Sequence, residues 1–161
     1  MICMKRKVYS IIAAVIALVC GGIYFYKKDF DKKWEENRRW IKQRRMFKLA
    51  DKWMEHLENK NVVSDYFNKK GYKKIAVYGM STFGQHLIQQ LKNSNIEVRY
   101  GIDRRCENIE SDISIYSPEE TLPDVDVVVV TAIYEFEEIK KELKQRIKCP
   151  IISLEEVIYE G

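Results

Sequence analysis

The run Gly79-Met80-Ser81-Thr82-Phe83-Gly84 has the residue types of a loop that holds a phosphate. It fits the pattern G-x-G-x-x-G apart from Ser81, which stands at the middle glycine. A glycine at 79 allows a tight turn off a strand, and one at 84 lets a helix approach the sheet closely. The middle position governs how near the backbone comes to a pyrophosphate. There Ser81 narrows the approach, while its hydroxyl could bond a phosphate oxygen. The free amides at the start of the following helix attract an anion in either case. Asp103 lies 24 residues beyond Gly79, where a carboxylate would accept the hydroxyls of a ribose. Arg104 and Arg105 follow and could instead meet a phosphate. This is the chemistry of nucleotide binding, open between NAD, NADP and a nucleotide sugar. Gly79 and Gly84 could equally serve only the turn and the packing, with Asp103 capping a loop.

Such a loop needs a strand to deliver it and a helix to leave from it. Lys74-Ile75-Ala76-Val77-Tyr78 is a short β-rich run that ends in the glycine, and Thr82 to Lys92 has helical spacing through Phe83, Leu87, Ile88 and Leu91. Glu97 to Ile102 reads as a second strand and Ile113 to Tyr116 as a third. Ser117-Pro118-Glu119-Glu120 reads as a helix start, with serine as cap and proline in the first turn. Val125 to Thr131 is a near-continuous valine run that suits a strand buried on both faces of a parallel sheet. Tyr134 to Lys148 reads as a helix, Pro150 to Ser153 as a fifth strand, and Leu154 to Tyr159 as a helix or turn. Strand-helix alternation with right-handed crossovers predicts an α/β, Rossmann-like fold: a five-stranded parallel sheet in the order 3-2-1-4-5.

Other reactive residues lack partners in the right places. Tyr66 and Lys70 have the Tyr-x-x-x-Lys spacing of a short-chain dehydrogenase, but they precede the first strand. After the fourth strand, Tyr134 is followed four places on by Glu138. His86 has no evident partner. Glu135, Glu137 and Glu138 suit a helix start. Cys106 follows two arginines that would lower a thiol pKa. The four cysteines, at 3, 20, 106 and 149, form no CxxC pair, so neither a zinc site nor a disulfide framework is expected. A second domain to hold a substrate against a cofactor is not expected, and neither is independent catalysis.

The N-terminal third differs in character. Val8 to Tyr26 carries no charge over 19 positions, close to the roughly 20 that cross a bilayer as a helix. Lys5-Arg6-Lys7 and Lys27-Lys28 bound it, and Tyr24, Phe25 and Tyr26 would sit at an interface. A cleaved signal lacks its small-residue site. A lipoprotein signal at Cys20-Gly21 has Val19 where a small residue is expected. The expectation is a basic tail over 1–7 and a transmembrane helix over 8–26. A charged helical connector over 27–61 and the nucleotide-binding domain over 62–161 follow. Basic residues are in excess after the span, which predicts a single-pass protein of the cell membrane with its globular part in the cytoplasm. Unpaired cysteines fit that compartment.

The connector has neither Gly nor Pro from Asp29 to Asn61 and reads as helix. Its run Arg38-Arg39, Lys42, Arg44-Arg45 suits anionic lipid headgroups or a solvated spacer. Interleaved acids and the lack of a recognised motif argue against nucleic acid. The stretch Leu49 to Phe67 is expected to pack on the domain.

Tyr72-Lys73-Lys74-Ile75-Ala76-Val77-Tyr78-Gly79-Met80, then Val98-Arg99-Tyr100-Gly101-Ile102-Asp103, then Asp126-Val127-Val128-Val129-Val130-Thr131-Ala132 resemble the short NAD(P)-binding Rossmann-like domains encoded among bacterial surface-polysaccharide genes. The resemblance covers residues 50 to 159. It implies NAD(P) or nucleotide-sugar binding at Gly79, Ser81, Gly84 and Asp103, with Thr131 and Ala132 lining the other half of the crevice. It also implies a protein partner in a polysaccharide assembly system. The function expected is that of a membrane-tethered binding accessory. A scaffold that docks a partner, or a reductase completed by one, are the alternatives.

Overall fold

The structure, a computed structural model, describes residues 2–58 and 63–161, with side chains described from residue 18 onward except at Asn108. The chain divides into two compact units, Met1–Met46 and Phe47–Gly161. The first lies within one uninterrupted helix, α1 (Ile2–Glu58), whose last turns from Phe47 belong to the second.

In the first unit the expected transmembrane helix requires correction. Among the described residues no helix is long and apolar enough to cross a membrane. Residues 18–26 give nine uncharged positions before Lys27. The side chains of 8–17, the first half of the expected span, lie outside the described residues. The single-pass cell-membrane localisation, and the cytoplasmic placement derived from it, fall with the anchor. Beyond residue 26 the helix is charged on all sides and laced by exposed pairs such as Lys33–Asp29 at 2.9 Å.

The second unit continues with α2 (Val63–Lys70), β1 (Lys74–Tyr78), α3 (Thr82–Leu91), β2 (Glu97–Ile102), a single 3-10 turn at Cys106–Asn108, β3 (Ile115–Tyr116), β4 (Val127–Val130), α4 (Phe136–Leu143), β5 (Ile151–Ser153) and α5 (Leu154–Glu160). Residues 59–62, where the connector was expected to give way to the domain, lie outside the described residues.

The strands form one sheet in the order β3-β2-β1-β4-β5, parallel at every pairing, as the alternation of elements predicts. Ala76, Tyr78, Val128 and Val130 pack on one face with Ile139 and Leu143 of α4. Ile75, Val77, Val127 and Val129 are as deeply buried and, alternating with the first set, face the other side. Asp126 anchors the start of β4, where one carboxylate oxygen accepts the Lys73 and Lys74 amides at 2.7 and 2.8 Å. Leu49 and Trp53 of α1 and Val63, Tyr66 and Phe67 of α2 are buried, so the described residues of the stretch Leu49 to Phe67 pack as expected.

The helix expected from Ser117 does not form. Its cap closes locally, with Glu120 accepting the Ser117 amide at 2.6 Å and Glu120 N–H donating back to the Ser117 carbonyl at 3.1 Å. Pro123 then stands within one helical turn, and proline turns the residue before it away from the helical region. Likewise α4 stops at Leu143, short of the expected Lys148, as the chain turns toward Pro150 and β5.

Candidate functional site

The loop after β1 is fixed from below by interlocking small residues. Gly79 has φ +93, and a Cβ there would lie 2.7 Å from the Thr131 hydroxyl oxygen. That hydroxyl donates to the Gly79 carbonyl at 2.7 Å. Gly84 rests on the same carbonyl with no room for a Cβ. One carbonyl therefore joins the start of α3, the end of β1 and the end of β4. Met80 is 4% exposed and turns beneath the loop, where a Cβ on Gly101 would stand 2.5 Å from its sulfur. The side chain is directed into the fold, and Gly101 supplies the space for it.

Ser81 caps α3 in extended backbone geometry, yet its hydroxyl makes no cap hydrogen bond. The first amides of a helix have no partner within the helix, and here the capping residue leaves them to other acceptors. The helix has no acidic residue in its first turn, so no charge within that turn opposes an incoming anion, and the acid beside it is Asp103 on the Met80 amide. The Ser81 and Thr82 side chains are exposed.

Asp103 stands at the end of β2, as the spacing predicts, but its carboxylate bonds the protein itself. One oxygen accepts the Met80 amide at 2.9 Å and the other the Arg105 amide, also at 2.9 Å. Since a carboxylate has about four acceptor sites, two remain for a hydroxyl. Arg104 turns away from the loop and donates to Glu142 of α4 at 2.8 Å. Ala132 is half-buried beside Gly79. Gly79, Met80, Gly84, Asp103, Thr131 and Ala132 are thus brought together, whereas Arg104 is not directed at them.

Phe83 and Thr82 face sideways. Phe83 stacks on Trp53, with centroids 6.0 Å apart and planes at 13°, and the Trp53 indole donates to Gln90 at 2.8 Å. Ala50, Met54, Leu57 and His86 complete a groove of about 410 Å³ along α3. The sequence reading did not place Trp53, Gln90, Tyr78 or Glu142 at the site. The spacing of Trp53 and Leu57 signals a buried helical face but not what it meets.

The Tyr66 and Lys70 pair is structural here. The Tyr66 hydroxyl donates to Glu156 at 2.8 Å, and the Lys70 ammonium lies 5.6 Å from the Tyr66 ring centre. Among the described residues no group of three His, Cys, Asp or Glu is placed to hold a metal. No protein-family model and no curated protein matches the chain.

Proposed function

We propose that Phe47–Gly161 is a binding module for a nucleoside phosphate, of the NAD(P) or nucleotide-sugar kind. The observation that carries this reading is the first turn of α3. Its amides are uncapped by Ser81, and the turn opens beside Asp103 where the order of the parallel strands reverses between β1 and β4. A helix N-terminus in that position attracts a pyrophosphate. Asp103 would accept a ribose hydroxyl with its two remaining acceptor sites, and Thr131 and Ala132 would bound the other side. A role as an accessory in envelope polysaccharide synthesis is the setting that the resemblance implies.

The test is Ser81→Asp in the full chain. A carboxylate at the cap takes the amides for itself and repels phosphate, while a better cap stabilises the helix by up to about 1 kcal/mol. Binding of NAD or a UDP-sugar is expected to vanish while the melting temperature holds or rises. Undiminished binding in Ser81→Asp would remove the reading.

A second reading, a module that docks a protein partner, is favoured by the groove against Trp53 and by its exposed apolar rim. Phe47, Met54 and Leu57 are 70%, 54% and 54% exposed, along one face of the last turns of α1. Met54→Asp with Leu57→Asp would abolish such docking and leave nucleotide binding intact.

A further inference from the structure

The charge that surrounds α1 beyond residue 26 is broken along one line. Phe30, Trp34, Asn37 and Ile41 follow one another at steps of four, three and four, which places them on one face of the helix. Phe30, Trp34 and Ile41 are 50%, 53% and 51% exposed, and the Phe30 and Trp34 rings meet edge to face with centroids 6.3 Å apart. Lys27 precedes the line and Arg44 ends it, with the Arg44 guanidinium 5.2 Å from the centre of the Trp40 ring. Asp31 and Arg38, seven residues apart, flank the line on the same side.

The charges along this stretch are divided by position. Residues 29–36 hold four acids and two lysines, a net −2, while residues 38–45 hold five bases and no acid, a net +5. Three of the acids have a cation within the helix: Asp29 pairs with Lys33, Glu36 with Lys32 and Glu35 with Arg38. Asp31 has no such partner among the described residues.

We propose that this line is a self-association seam, on which α1 of a second copy of the chain lies antiparallel. Reversing the second helix about the point between Glu35 and Glu36 sets each acidic half beside a basic half. Phe30 then faces Ile41 of the second copy. Trp34 faces its Asn37, whose carboxamide gives the indole N–H an acceptor. Asp31 gains the Arg38 of the second copy, and a guanidinium has donors enough to serve Glu35 as well. A parallel pair would instead align the five bases with their own copies, and like charges so placed repel. Four residues per helix make a short seam, so the dimer is of the transient class and dissociates on dilution.

The experiment is sedimentation velocity of the full chain from micromolar to hundreds of micromolar, after circular dichroism has shown that each variant keeps its helix content. The wild type is expected to pass from monomer to dimer over that range, and Trp34→Asp to stay monomeric. Asp31→Arg and Arg38→Asp each weaken the dimer about tenfold. Combining the two restores the wild-type affinity, because an antiparallel pair merely exchanges the charges. A wild type that stays monomeric throughout leaves the line to another occupant and overturns the proposal. A dimer that survives Trp34→Asp forms through another surface and overturns it too, as does a double variant no tighter than the singles.

Discussion

Gly84 lies directly against the carbonyl oxygen of Gly79, and a Cβ on residue 84 would overlap it. The contact sets how closely α3 approaches the sheet, and so where its uncapped amides stand. Gly84→Ala removes the most flexible residue from the first turn of a helix and by propensity alone would stabilise it. The overlap reverses the sign. A loss of about 1–3 kcal/mol is expected, measured by urea denaturation of the full chain. A gain in stability would mean that α3 does not sit where the structure has it.

Asp103 holds the loop to the end of β2 through the Met80 amide. Asp103→Ala leaves that amide and the Arg105 amide without their acceptor, at a cost of about 1–2 kcal/mol. Hydrogen exchange at Met80 is expected to accelerate in the variant more than exchange in β4. Equal acceleration at both would show a global effect and not a local latch.

Trp53 ties the last turns of α1 to α3 through its stacking on Phe83 and its bond to Gln90. Trp53→Ala is expected to cost about 3–5 kcal/mol. Trp34 and Trp40 are exposed, so the blue-shifted part of the tryptophan emission should disappear with Trp53. A stable variant with unchanged emission would separate α1 from the domain.

The sheet was legible because its signals are local. The valine run of β4, the β1-glycine boundary and the helical spacing after Thr82 each specify an element, and alternation then fixes the strand order. Side-chain partners were not legible. The residue 103 carboxylate meets its own loop because Met80 turns under Gly101, and Arg104 meets a residue of α4 that no spacing rule connects to it. The helix expected at Ser117 illustrates competition between signals, since a good cap begins a turn that Pro123 prevents from continuing. The apolar run after Val8 misled, since among the described residues no helix is long and apolar enough to cross a membrane.

Two groups set opposite limits of pH stability. Tyr100 is pushed up to about 12, first by burial and then by the Cys149 and Asp124 charges, and its hydroxyl donates to the Pro123 carbonyl at 2.7 Å. The folded value is raised, so its contribution is complete below the ordinary tyrosine value near 10 and is lost as pH climbs to about 12. Asp126 is lowered by the Lys74 and Lys73 amides, so its contribution is present above its ordinary value of 3.8 and is lost as acid passes below it. Tyr100→Phe should flatten the alkaline limb of a stability curve and Asp126→Asn the acid limb. Unchanged limbs would assign these losses to other groups.

The most direct test of the nucleoside-phosphate reading is thermal unfolding of the full chain titrated with NAD, NADP, UDP-glucose and UDP-glucuronate. At least one is expected to raise the melting temperature saturably, by about 2.7 kcal/mol of stability at 100 times its dissociation constant, and Ser81→Asp to erase the effect. No shift with any of them at millimolar concentration would contradict the reading.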